Sequence, residues 1–163
     1  MNSTTEITKA RVYLASPFFN DEQVERVKRV EQALEANPFV EAYFSPRKEQ
    51  LDSLPFGSSQ WANAVYQNDI KNIDWATHVV AVIDYDGETF LHGERHGHVD
   101  SGTAMEIGYA VASRKPVILV HEKGGIVNLM LSESCQAYLT STDYVTEYNF
   151  LNMPKIQYKG GYI

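Results

Sequence analysis

Between Ser101 and Ser113 the chain carries a single charged side chain, Glu106, set among Met105, Ile107, Ala110 and Val111. A solvated helix face would show several charges, so a lone carboxylate here asks for a chemical reason. Burial penalises its ionised form unless donors or a helix N-terminus compensate. Near the start of its helix, Glu106 is expected to be kept ionised by the helix dipole and free N–H groups, which would make it a competent nucleophile at the mouth of a cleft. The competing explanation is structural: an ion pair with an arginine at the edge of the core, or a cap on a neighbouring element. Two further carboxylates join it. Asp100 stands at the entry to the same helix, where it or Ser101 could serve simply as a cap. Asp69 lies in Tyr66-Gln67-Asn68-Asp69-Ile70, on a helix that also carries Trp61, Val65 and Ile73. An Asn-Asp pair is a poor choice in mid-helix, although an ordinary exposed polar face would account for it. Three carboxylates gathered at one strand edge would suit glycosyl transfer, one attacking the anomeric carbon and another managing the proton on the leaving group.

The elements that must hold these groups read as alternating strands and helices. Arg11 to Ala15 is a buried strand leaving through Ser16-Pro17, where the missing N–H of proline is harmless. Asn20 is placed to cap a helix running to about Ala36, with Asp21 and Glu22 in its first turn and Val24, Val27, Val30 and Leu34 at near-helical spacing. Phe39–Phe44, Thr77–Ile83, Pro116–Val120 and Ala137–Thr140 read as further strands, and Trp61–Ile73 and Ser101–Ser113 as further helices. Two of the strands are nearly continuous apolar runs, which implies a parallel sheet covered on both faces. The expected fold is α/β: a doubly wound, flavodoxin-like or Rossmann-like, five-stranded parallel sheet in one domain over residues 1–163. In such a sheet ligands sit beyond the carboxyl ends of the strands, so Ser16–Asn20, Asp84–Gly102 and His121–Asn128 should gather at one site. Ser45 to Ser59, with two prolines and a glycine, reads as a long loop of the kind that is often functional.

Composition narrows the chemistry. Fourteen Lys and Arg stand against 21 Asp and Glu, giving a net charge of −7 with no basic cluster. That argues against a nucleic-acid partner, but not against a nucleoside, which carries no phosphate. Cys135 is the only cysteine, which excludes a disulfide framework and suits a reducing compartment; it is expected to be a buried hydrophobe. Met1 to Lys9 is polar, and no apolar run approaches the roughly 18–20 residues of a membrane span. A soluble, cytoplasmic protein is therefore expected. The stretch His92-Gly93-Glu94-Arg95-His96-Gly97-His98 has neither helical nor finger spacing and is expected to be a solvated or lid-forming loop, loosened by its glycines, rather than a metal site. Gly124-Gly125 reads as a turn, and no GxGxxG or P-loop is present.

Taken together, Val12-Tyr13-Leu14-Ala15-Ser16-Pro17-Phe18-Phe19, Tyr66-Gln67-Asn68-Asp69, Asp100-Ser101-Gly102 leading into Met105-Glu106-Ile107-Gly108-Tyr109-Ala110, and Asn128-Leu129-Met130 resemble the nucleoside 2-deoxyribosyltransferases of lactic-acid bacteria. The four motifs occur in order from residue 11 to the C-terminus. The resemblance implies Glu106 as the nucleophile of a double displacement through a covalent glycosyl ester, with retention of configuration. It implies that Asp69 and Asp100 hold the base and its proton, that Tyr13 stands beside the nucleophile, and that Ser16, Phe18, Gly102, Asn128 and Met130 meet substrate. Asn128 would reach the sugar bound by a neighbouring subunit. A homo-oligomer, a hexamer built from dimers, is implied, acting on 2′-deoxynucleosides and free nucleobases in nucleotide salvage, with no cofactor, metal, nucleic acid or membrane. Ser16-Pro17-Phe18 leans toward the purine-restricted branch. Two features depart from the family: the chain ends Gly160-Gly161-Tyr162-Ile163 rather than in an aromatic residue, and the segment Asp84–Asp100 is longer. The alternatives are a deoxynucleotide or deoxynucleoside N-glycosidase, the former needing a phosphate site that Ser16-Pro17-Phe18-Phe19 does not offer, and a non-catalytic nucleoside sensor.

Overall fold

The computed structural model describes residues 8–163; residues 1–7, most of the polar leader, lie outside them. Strands β1 (Ala10–Ala15), β2 (Val40–Phe44), β3 (His78–Val82), β6 (Val117–Val120) and β7 (Ala137–Leu139) form one sheet in the order β2-β1-β3-β6-β7. Every neighbouring pair is parallel. The expected doubly wound sheet is therefore present, with the strand order that reverses direction between β1 and β3. Side chains alternate across it. Val12, Leu14, Val80, Val82, Ile118 and Val120 pack on one face against Val27, Val30 and Leu34 of α1 (Asp21–Ala36) and Val145 of α5 (Asp143–Glu147). Tyr13, Ala15, Val79, Ala81, Val117 and Leu119 face the other way, against Ile73 of α2 (Ser59–Trp75) and Ile107 and Ala110 of α3 (Ser101–Ala112). The register of β1 thus aims Tyr13 at the two helices that carry Asp69 and Glu106.

Local chemistry fixes where those helices begin. Asn20 Oδ1 accepts from Gln23 N–H at 2.9 Å while Gln23 Oε1 accepts from Phe19 N–H at 2.8 Å, a reciprocal cap that starts α1 and shapes the loop after β1. Ser58 caps α2 through Trp61 N–H at 3.1 Å. Asp100 caps α3, its Oδ2 accepting from Thr103 N–H at 2.8 Å and Thr103 Oγ1–H at 2.9 Å.

The segment after β3 departs from expectation. It is a β-hairpin, β4 (Tyr85–Leu91) with β5 (Glu94–Val99), not a loop. Its glycines specify structure rather than looseness. His92 and Gly93 both have positive φ (52° and 81°), as a two-residue turn with the right twist demands. Gly97 lies against the Tyr85 ring, where a Cβ would clash. Tyr85 Oη bonds His121 and donates to Gly124 O at 2.6 Å, and Ile126 N–H donates to Arg95 O at 2.8 Å. The helix α4 (Leu129–Ser132) and α5 are further additions, too short to leave a periodic signal.

Candidate active site

Beyond the carboxyl ends of β1 and β3, where the strand order reverses, lies a cleft of about 680 Å³. Its floor comes from Ser16, Pro17 and Phe18 after β1 and from Asp100, Ser101, Gly102 and Glu106 at the start of α3. One wall is a stripe of α2, in which Trp61, Val65, Asn68 and Asp69 recur at helical spacing. The other is the loop between β2 and α2, contributing Leu51 and Phe56. Phe56 packs on Trp61 with ring centroids 4.6 Å apart. A larger hollow, about 760 Å³, opens at the far edge of the sheet among Tyr138, Tyr144, Tyr148 and Tyr158, but among the described residues Glu147 is its only carboxylate, with no second one to form a reacting cluster.

Glu106 is in the second turn of α3, past the N–H groups left free at the helix start. Its Oε2 is buried and has no hydrogen-bond partner among the described residues, and neither has the buried Tyr13 hydroxyl. The two groups nevertheless face each other: the phenol is the neighbour that favours the Glu106 charge, without reaching full hydrogen-bond geometry. Burial is the larger influence and, with the charges of Asp69 and Asp100 nearby, pushes the Glu106 carboxyl up to about 8. The expectation that the helix dipole holds Glu106 ionised is thus overturned, because that influence fades after the first turn. Burial likewise lifts Asp69 to about 6. It also raises the Tyr13 phenol, which stacks on Phe44 at 5.6 Å. No arginine pairs with Glu106 among the described residues, so the structural ion-pair explanation does not hold.

Of the residues singled out in the sequence, Ser16, Phe18, Asp69, Asp100, Gly102 and Glu106 come together in the cleft, with Tyr13 beneath them. Asn128 and Met130 do not line it. Asn128 caps α4 through Met130 N–H at 2.9 Å, and Met130 is 73% exposed. The expectation that His121–Asn128 gathers at the same site is corrected: that segment packs on the hairpin and the C-terminal tail. Val127 pairs with Tyr162, and Leu129 N–H donates to Ile163 O at 3.2 Å. The sequence did not single out Leu51 and Phe56; the proline-bearing loop that carries them was its only signal. Cys135 is buried and free, and Gly124-Gly125 is a turn with φ of 69° and 99°. Among the described residues, no three His, Cys, Asp or Glu side chains converge as a metal cluster, and no helix is long and apolar enough to cross a membrane.

The nucleoside 2-deoxyribosyltransferase family model matches residues 12–141, a span that includes every cleft residue. The chain belongs to that family. A nucleoside deoxyribosyltransferase of Limosilactobacillus fermentum is 33% identical, over 96% of this chain and 95% of its own length. One from Lactobacillus leichmannii is 28% identical, over 94% and 97%. A solved 2-deoxyribosyltransferase from Bacillus psychrosaccharolyticus superposes with a TM-score of 0.79 at 38% identity, covering 92% of this chain and 100% of that one. Family and fold together make this an enzyme of deoxyribose transfer, a pentosyltransferase.

Proposed function

We propose that the transfer runs by double displacement on Glu106, between 2′-deoxynucleosides and free nucleobases and with no metal or cofactor. One observation carries this: Glu106, half-buried with its Oε2 buried and unpartnered among the described residues, lines a cleft with Glu49, Asp69 and Asp100 and, among the described residues, with no Lys or Arg. Such a lining suits an uncharged sugar whose transition state becomes cationic at the anomeric carbon, and disfavours a phosphorylated one. In the first step the Glu106 carboxylate bonds to C1′ as the C–N bond to the base breaks. The leaving base takes its proton from Asp69. A second base then attacks C1′ and gives its N–H proton to Asp69 as the ester bond to Glu106 breaks, which restores both carboxyl groups, and two inversions leave configuration unchanged. The reacting form therefore carries the proton on Asp69 and the charge on Glu106, and Tyr13 favours that distribution. Asp100 spends one oxygen on the α3 cap and has the other for substrate; Ser16, Phe18 and Gly102 shape the floor. Asn128 and Met130, exposed beside the C-terminal tail, would complete the site of a neighbouring subunit in a homo-oligomer, a hexamer in this proposal. Nucleoside salvage in the cytoplasm by a single-domain chain is the corresponding role.

The test is incubation with deoxyinosine and adenine, without phosphate, followed by chromatography. Wild type should release hypoxanthine and form deoxyadenosine, and Glu106→Ala should lower the rate by at least about 10³-fold. Thymidine as donor separates purine-only from broad specificity. Hypoxanthine without deoxyadenosine would replace transfer by hydrolysis, and binding without turnover would point to a sensor.

A further inference from the structure

The β4–β5 hairpin carries the histidine stretch that the cleft leaves unused. On a strand, residues two apart share a face, so His96 and His98 of β5 project together. Their ring centroids are 5.4 Å apart with planes at 63°. Two imidazoles on one tetrahedral ion, each nitrogen about 2.0–2.1 Å from the metal, place their centroids roughly 5 Å apart. We propose that His96 and His98 form a two-histidine site for a divalent transition-metal ion of the zinc, nickel and copper group, whose preferred ligands include imidazole.

Three features of the hairpin support the pairing. His98 Nε2 and Thr89 Oγ1 are 3.2 Å apart; in the tautomer whose Nε2–H donates to Thr89, the Nδ1 lone pair, over the side-chain-free Gly87, is available to an ion, as in metal-binding imidazoles held by a second hydrogen bond. Thr89 stands directly across the ladder from His96, so the residue that bonds the His98 ring is on the same face as both imidazoles. The strand itself is held: Gly97 packs beneath Tyr85, and the backbone just before it, at Arg95 and His96, meets Ile126. Glu94 lies on the same face, but its carboxylate is turned to Gly161 in the tail, so it adds no third donor. Two protein ligands leave coordination positions for water or a second molecule, which makes this an open site, weaker than a closed four-ligand one.

The test is calorimetric titration of untagged, chelator-treated full-length protein with ZnCl₂, together with electron paramagnetic resonance of one equivalent of Cu²⁺. Saturable 1:1 zinc binding and a copper signal split by two equivalent nitrogens are expected. His96→Asn or His98→Asn should each weaken binding by at least about tenfold, and Thr89→Val by several-fold. His92→Asn, at the hairpin tip, should leave it unchanged. Deoxyribose transfer and thermal midpoint, unaltered in all four variants, report an intact fold. The proposal fails if no saturable binding is seen, if His96→Asn and His98→Asn bind as wild type does, or if His92→Asn is as damaging as they are.

Discussion

At the carboxyl ends of the same strands the two faces of the sheet treat buried carboxylates in opposite ways. On the α1 face, Arg26 bonds Asp84, bonds Glu22 at 2.8 Å and lies 3.5 Å from Glu122. Arg29 grips both oxygens of Glu122 at 2.8 Å, and that contact pushes the carboxyl down to about 2. On the α2–α3 face, Glu106 and Asp69 meet no cation among the described residues and are pushed up to about 8 and about 6. Both groups are withdrawn from water, so what separates them is the guanidinium groups. A carboxylate paired on withdrawal from water holds the frame, whereas one left unpaired keeps a free energy that substrate can release.

Breaking the paired side should have the largest effect on stability. Arg26→Met leaves Asp84, 1% exposed, with Lys123 at 3.7 Å in place of a bonded guanidinium and should cost about 3 kcal/mol in a urea titration. Transfer per folded molecule should change only a few-fold, because none of these groups lines the cleft. The unpaired side should respond with the opposite sign. Glu106 is protonated more readily in the folded chain (about 8) than in the unfolded one (4.5), so folding is penalised increasingly from pH 4.5 up to 8. Glu106→Gln removes that penalty and should raise stability by about 3 kcal/mol at pH 7, with the gain vanishing near pH 4. Equal thermal midpoints for Glu106→Gln and wild type across that range would mean that the carboxylate is compensated after all.

The contrast was only half legible in the sequence. Glu106 stood out because α3 has no other charge, and Asn20 and Asp100 marked helix starts because capping is a local interaction. The nearly continuous apolar strands likewise announced a parallel sheet covered on both faces. Long-range geometry did not show. Arg26 and Asp84 are 58 residues apart, and nothing in either segment reveals the other. The hairpin was hidden because most of its residues are polar and partly solvated, while the contact that fixes it, Tyr85 beneath Gly97, spans the turn. The ionisation of Glu106 was misjudged because it depends on depth and on Asp69, which lies on another helix.

A smaller effect should come from the hydroxyl between strand and helix. Tyr13 favours the Glu106 charge, so Tyr13→Phe should raise the Glu106 carboxyl further and populate the reacting form less. Because Glu106 and Asp69 titrate as a pair, wild-type kcat/KM should follow a bell with limbs near pH 6 and pH 8. The variant should lose about tenfold in kcat/KM and shift the alkaline limb upward. A tenfold loss with both limbs unmoved would assign Tyr13 to packing against Phe44 rather than to the charge on Glu106.

The smallest effect should come from the rim of the paired side. Arg29 reaches Glu25 at 2.8 Å, but the two side chains are 37% and 63% exposed, and exposed pairs on one helix face contribute little. Glu25→Gln should change stability by less than about 0.5 kcal/mol, and less again in 0.5 M salt, where screening removes most of it. Arg29 would keep its bonds to Glu122 and to Thr142 Oγ1 at 2.8 Å, so the network should survive the loss. A cost approaching that of Arg26→Met would show the charges acting as one cooperative unit, and pairing at depth would then no longer separate the two faces of the sheet.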